Sequence, residues 1–440
     1  ADVGGGRGVF AAADIPAGAV VMTEEPILHV SGGEVRPGET WHFAVARCLL
    51  QSARRADLLG RVRSLHPQRL TDLPPDVRER AASLQAAAAA ELASAVAPPM
   101  APEEALLLLL KMQMNAFESG VYVELALVNH SCFPNSIKFG PGQRQFGSSS
   151  APGAARDAAL WCPRSEIVAV RDIRAGEEIT ISFLGALERS AAARAALFRR
   201  QHLVELSSPS PGSYPTVVAA ETEALLPGAE AGAARQALDE LEEWLDAEDP
   251  GTAEATAAAA RTALQRLLGA EDRVARLLHP RHLVLCRLRR RMARAARALL
   301  ATAPDPSVAE LLIRVGAEIR ETQALFLPAT HLDVAEAAED RAVGLAALLA
   351  ADRARLYRAF PGVYGDFSAA TRAEAELRRE AAAVRGLYCG AGGPAQQPVG
   401  SAAAVQGATT TAPGTAAVQT PVSCSAPLGA RAAEDWSIFD

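Results

Sequence analysis

The sequence predicts an α+β protein: a domain of short strands split by a helical insert, then an all-α half, then a disordered tail. Three observations predict it. Short β-type runs bounded by turn residues fall at about 7–30, 121–139 and 167–183. Apolar residues recur at helical spacing through about 40–115 and again through 216–386. From Gly390 to about Glu434 the composition is mostly Ala, Gly, Thr, Pro and Gln, which cannot bury enough surface to fold.

Taken in order, Val9-Phe10, the turn Pro16-Ala17-Gly18 and Val20–Met22 read as a hairpin-like start. Ala- and Arg-rich helical periods follow, broken at Pro98-Pro99. The stretch Gly140–Ala159, rich in Gly, Ser, Pro and Ala, reads as a disordered surface insertion. Strand character resumes at Ile167–Val170, turns at Arg174-Ala175-Gly176 and continues at Ile179–Ile181. Helical spacing starts near Leu187 and breaks at Pro209–Pro211. It then dominates, in sets such as Ala234, Leu238, Leu241 and Leu245, or Val284, Leu285 and Leu288. Leu327–Ala335 reads as a helix start with Thr330 or Asp333 as its cap. No 34-residue period marks these helices as tetratricopeptide repeats. The expected domains are 3–206, with a helical insert at 35–112 and a low-complexity loop at 140–160; a helical domain at 212–388; and the tail at 389–440.

Composition excludes several classes. At 440 residues the chain has room for two or three domains. No uninterrupted apolar run approaches the roughly 18 residues that a membrane span needs. A net charge of −7 gives no global case for nucleic-acid binding. Arg287, Arg289, Arg290, Arg291 and Arg294 make a local basic stretch, for which a solvated helix face is the favoured reading over a contact with nucleic acid or an acidic tail. Lys111 and Lys138 are the only lysines, an arginine bias that fits a GC-rich coding sequence. The six cysteines (Cys48, Cys132, Cys162, Cys286, Cys389, Cys424) contain no CxxC pair. That is neither a zinc framework nor a secreted disulfide scaffold, so the expectation is reduced thiols in an intracellular protein, cytoplasmic or nuclear. The chain opens at Ala1 rather than Met, which leaves a removed targeting segment open.

The richest stretch is Asn129-His130-Ser131-Cys132-Phe133-Pro134-Asn135, which follows the apolar run Leu125–Val128. A second polar segment, Gly176-Glu177-Glu178, leads into Ile179-Thr180-Ile181-Ser182-Phe183. Two such segments, each beside a β-type run, predict loops that fold together into a ligand site. Gly6-Arg7-Gly8 allows close backbone approach, although a lone GxG is weak evidence. Glu177-Glu178 is a weak candidate for paired-carboxylate chemistry, because adjacent strand residues face opposite sides and one is expected to be solvated.

In order and wording these motifs, with Asp14-Ile15-Pro16-Ala17-Gly18 and Glu25-Pro26, resemble the SET domain of protein-lysine methyltransferases, a β-clip of short strands. The nearest branch pairs SET with a MYND zinc module, on the strength of Asn115-Ala116-Phe117, the helical C-terminal half and Leu332-Asp333-Val334-Ala335-Glu336. The resemblance covers roughly 3–30 and 112–203 well and 275–350 loosely. It implies an enzyme that transfers a methyl group from S-adenosylmethionine to a lysine of a histone or non-histone protein. It carries cofactor contact onto Arg7, Gly8, Asn115, Asn129 and His130, with Leu203 where the family places an aromatic against the adenine. Phe117 and Tyr122 would line the substrate channel.

This chain departs from the branch. The MYND ligands and the cysteines after the last motif (Phe198-Arg199-Arg200-Gln201-His202-Leu203) are missing, so no zinc is expected. Cys132 is then expected as a buried apolar side chain. Phe183 stands at the catalytic position where the family has tyrosine, which removes a hydroxyl that orients donor and amine. Two readings follow: a methyltransferase of reduced activity, or a catalytically weak SET-derived scaffold that binds protein partners through its helical half.

Overall fold

A computed structural model describes residues 7–30, 34–94, 99–117, 120–140, 164–184, 188–203, 222–247, 256–361, 363–364 and 366–388. The low-complexity loop beyond Gly140 and the tail from 389 onward lie outside these residues.

Eight short strands make three small sheets among the described residues. β1 (Val9–Phe10) pairs antiparallel with β8 (Glu178–Ile181), which pairs parallel with β5 (Asn129–His130). β2 (Val20–Glu24) and β6 (Ser136–Phe139) flank β7 (Ser165–Ala169), both antiparallel. β3 (Ala116–Phe117) and β4 (Gly120–Val121) form a hairpin. The hairpin-like start does not hold. Residues 9–24 pair not with themselves but with 165–181, joined midway by the Ile15–Ile173 bridge. A two-residue β1 has too few ladder bonds to close locally, whereas 165–181 offers a partner to each leg. Both legs turn at a glycine with positive φ, Gly18 (81°) and Gly176 (82°), a conformation that costs other residues steric strain.

The insert between β2 and β3 holds α1 (Trp41–Gln51), α2 (Arg55–Val62), α3 (Pro75–Ser94) and α4 (Pro102–Asn115). Thr40 caps α1 by accepting from Phe43 N–H. α4 starts with Pro102, whose missing N–H is harmless there, and has Glu103 and Glu104 at the positive end of its dipole. Trp41, Leu49, Leu58, Leu92, Leu108 and Met112 form their common core, which includes Val121 of β4. α4 therefore delivers Asn115 and Phe117 at a fixed position beside the strands.

α5 (Ala191–His202) follows the last strand. The C-terminal half comprises α6 (Ala231–Ala247), α7 (Ala257–Val274), α8 (Leu283–Thr302), α9 (Pro306–Gln323), α10 (Leu332–Ala351), α11 (Arg353–Ala359) and α12 (Phe367–Tyr388). The cap of α10 is His331, whose ring accepts from Asp333 N–H; neither Thr330 nor Asp333 serves. Thr330 is otherwise engaged: its hydroxyl donates to Val170 O, and its carbonyl accepts from the Tyr388 hydroxyl at 2.7 Å. Phe139, Val168 and Val170 of the strand domain share one core with Ile313, Leu345, Leu348 and Tyr388.

The basic stretch on α8 is a solvated face only at Arg294, which is exposed; the arginines before it are buried or half-buried. Arg287 and Arg289 are buried, and Arg287 pairs with Asp246 at 2.5 Å. Arg289 pairs with Glu271 and Glu318, and Arg290 with Glu188, Asp333 and Glu336. Their charges are met by carboxylates of α6, α7, α9 and α10 and by Glu188 ahead of α5, the arrangement a buried guanidinium requires. No described helix is long and apolar enough to cross a membrane.

Candidate functional site

The two polar segments predicted to meet do so, and Asn135 joins them. Its side chain, 2% exposed, donates to Glu178 O (2.8 Å) and accepts from Thr180 N–H (2.9 Å). Its backbone carbonyl takes Val170 N–H at 2.9 Å. An amide suits this role because it donates and accepts from one planar group.

Beside it, β5 lies parallel to β8. Ser131 N–H points at Ile181 O (2.9 Å). Successive N–H groups alternate along a strand, so the N–H and C=O of His130 face away from β8. Asn129 Nδ2 donates to Arg7 O (2.9 Å) and to Glu178 Oε1 (2.7 Å). Gly8 closes this corner: a β-carbon there would come within 2.6 Å of Glu178 Oε1 and 3.0 Å of Asn129 Nδ2. Glu177 and Glu178 are both half-buried and bonded, Glu177 to Arg171 and Asn135, so neither is the solvated member of a pair. The Arg171 guanidinium holds the Glu177 carboxyl below its usual range.

His130 is held from both ring nitrogens. Nδ1 accepts from Phe183 N–H at 3.0 Å, which leaves the proton on Nε2, 3.4 Å from Cys132 Sγ. Burial, and then the nearby Arg194, lower its pKa to about 4, so the ring is neutral at physiological pH. Cys132 is half-buried and its thiol is pushed up by burial. It acts as a partner for this histidine rather than as a purely apolar filler. The ring centroids of Phe183 and Phe198 stand 5.5 and 4.8 Å from His130. His202 completes the group at 5.1 Å from Phe183 and 4.8 Å from Phe198. Burial first, then His130 and His42, lower the His202 pKa to about 4, and its Nδ1 is buried without a partner among the described residues.

On the other side of Phe183, the Phe117 ring lies 6.1 Å from it and 5.8 Å from Tyr122, both edge-on. Tyr122 is fully buried and its hydroxyl is joined to Ser165 Oγ at 2.6 Å, so it presents a ring face rather than a polar group.

Of the residues singled out in the sequence, Arg7, Gly8, Asn129, His130, Phe117, Tyr122 and Phe183 converge here. Asn115 stands one shell back: its amide donates to His66 O and to Lys111 O (2.8 Å), while Arg7 donates to Ser64 O (3.1 Å) on the same insert segment. Leu203 is not brought in. It ends α5 with φ 62°, packs with Leu73, Val77, Ala81 and Leu110, and gives its carbonyl to Arg80. Phe198 and His202, in the segment where the family's cysteines are missing, pack against His130 and Phe183. Their spacing of four on α5 puts both rings on one helix face, the signal that could have found them. Among the described residues no group of three or more His, Cys, Asp or Glu is arranged to hold a metal ion.

Compared with known protein families, residues 6–184 match the SET domain. No curated protein matches the chain. The clip of short strands, the joined loops and the helical C-terminal half constitute a SET domain with an all-α extension.

Proposed function

We propose that the SET domain at 6–184 transfers a methyl group from S-adenosylmethionine to a lysine side chain of a protein. The observation that carries this reading is the Asn129-His130 corner. A backbone donor and acceptor of His130 face outward from β8, Asn129 and Glu178 offer an amide and a carboxylate, and Gly8 has no side chain in the way. An outward N–H and C=O from one residue match the edge of an adenine. The Glu178 carboxylate, close to the Asn129 amide, suits an ammonium group. Arg7, Gly8, Asn129 and His130 would hold the cofactor, and Asn115 would fix Arg7's neighbourhood from the insert. The buried ring of Phe198 and the half-buried rings of Phe183 and His202 would keep water from its reactive end. When bound, the cofactor supplies a methyl group made electrophilic by its sulfonium.

Phe117, Tyr122 and Phe183 would wall the channel for the target amine. Phe183 supplies a ring without the hydroxyl. Loss of one preorganised polar group of that kind raises a barrier by roughly 2.7–4 kcal/mol, which makes this a slow enzyme. The same residue favours a second reading, a SET-derived scaffold that binds protein partners through its helical half. On both readings the partner is a protein and the setting intracellular, and the motifs Asn115-Ala116-Phe117 and Leu332–Glu336 with the helical C-terminal half support kinship with the MYND-containing branch, whose zinc ligands this sequence lacks.

Calorimetric titration of the full chain with S-adenosylmethionine tests the proposal. Saturable binding that weakens in Asn129→Ala supports it. A folded protein that takes up no cofactor at millimolar concentration leaves only the scaffold.

A further inference from the structure

Lys138 lies on β6, and its ammonium stands over the two rings assigned to the channel. Nζ is 4.7 Å from the Phe117 centroid and 5.5 Å from the Tyr122 centroid. Strand alternation places it there. Ile137 and Phe139 pack towards the C-terminal helices. Lys138 must therefore point to the opposite face, that of its ladder partner Ile167, which clusters with Tyr122, Phe117 and Phe183. Aromatic faces attract a cation within about 6 Å, and both rings meet that condition.

The composition sharpens the point. The chain has 44 basic residues, and only Lys111 and Lys138 are lysines. Both sit inside the SET domain. Lys111 Nζ donates to the carbonyls of Arg63 (3.1 Å) and Leu65 (2.7 Å). A compact ammonium suits such narrow places, whereas a flat guanidinium needs a wider one. Lysine thus persists at two positions where the size of its head group matters.

We propose that Phe117 and Tyr122 form a lysyl-ammonium site whose resident is this chain's own Lys138, so that an incoming lysine must displace it. The inference rests on reading Phe117, Tyr122 and Phe183 as the substrate channel. Tethered on β6, Lys138 acts at an effective concentration on the order of millimolar or higher. Free amines and short peptides lose that competition, and a protein substrate anchored elsewhere on the surface wins it. Lys138 is thereby a specificity-determining residue: it reserves the channel for substrates that bring binding energy from outside it.

The full-length chain labelled with carbon-13 lysine gives one ε-methylene signal per lysine. Lys138→Met, or Lys138→Arg should the methionine variant fold poorly, identifies the signal of Lys138. That signal is expected upfield of its free position because of the ring currents, and is expected to return in Phe117→Leu. A Lys138 signal at the free position in the folded wild-type chain overturns the proposal. In parallel, n-butylammonium chloride is titrated into wild type and Lys138→Met. At least tenfold tighter binding by the variant is expected; equal affinity, or none in either chain, overturns displacement. Neither measurement uses S-adenosylmethionine. A chain that fails to bind that cofactor but keeps the shifted signal sinks the methyltransferase reading alone, and a chain that binds cofactor with an unshifted signal sinks this inference alone.

Discussion

The backbone N–H of Phe183 donates to Nδ1 of His130 at 3.0 Å, so the residue two past the end of β8 is held by a side chain of β5. The bond requires a neutral ring. A protonated imidazole would set one N–H against another at Nδ1, and burial already lowers the pKa of His130 to about 4.

Acid should therefore loosen this site. His130, His202 and His42 each have a folded value of about 4 against an ordinary 6.5. Between these values the unfolded chain binds more protons than the folded one, so stability rises with pH. The contribution is fully present above about 6.5 and is lost as pH falls towards 4. One histidine alone would contribute up to about 3 kcal/mol at 1.36 kcal/mol per unit. The three sum to less than three times that, because His202 is itself shifted by its two neighbours. Urea denaturation at about pH 4.5, 5.5 and 7 checks this: the midpoint should climb with pH, and the climb should shrink in His130→Asn. A flat profile would contradict it.

Asn135→Ala should destabilise the chain by about 2–3 kcal/mol, since it strands the buried Glu178 carbonyl and Thr180 N–H together. Asn135→Asp should be no better, because an acceptor cannot replace the amide donor to Glu178 O. Thermal unfolding of both variants decides the matter, and a change within about 0.5 kcal/mol, the range of an ordinary surface substitution, would refute the role.

The meeting of the two loops was legible in the sequence because both carry short polar residues beside β-type runs. Pairing partners were not. Val9-Phe10 and Val20–Met22 look like a hairpin locally, and only the distant 165–181 segment decides otherwise. Charge patterning misled at α8 for a similar reason: Glu188, Asp246, Glu271 and Asp333 lie far from the arginines along the chain and beside them in the fold. The packing of Leu203 was not legible either, because the αL end of α5 turns it into the insert's core, away from the other residues singled out.

Glu24, at the end of β2, accepts from three consecutive N–H groups, those of Val123 (2.8 Å), Glu124 (3.0 Å) and Leu125 (2.8 Å). These precede the heptapeptide, so Glu24 fixes the approach to Asn129. Glu24→Gln turns an amide nitrogen towards those donors and should cost about 1.5–3 kcal/mol. Glu25→Gln is the control. Its carboxylate pairs with Arg164 in the open, with 58% and 56% of the two side chains exposed, and such pairs contribute little. Equal effects of the two substitutions would count against the assignment.

Phe183→Tyr separates the two readings of function. The Phe183 ring is already held by Phe117, His130, Phe198 and His202, so one added oxygen should leave the fold intact and thermal stability within about 1 kcal/mol. If the cofactor corner is competent, restoring the hydroxyl returns a preorganised polar group to the place where amine and methyl donor meet. Turnover on a protein substrate should then rise about a hundred- to a thousandfold, with the gain in kcat rather than KM, because a group that acts only in the transition state leaves substrate affinity alone. Methyl transfer from labelled S-adenosylmethionine to a mixed protein substrate measures it. A variant that binds the cofactor yet gains no transfer on any protein would mean that Phe183 is not the missing element, and the helical half would become the place to look for what this chain does.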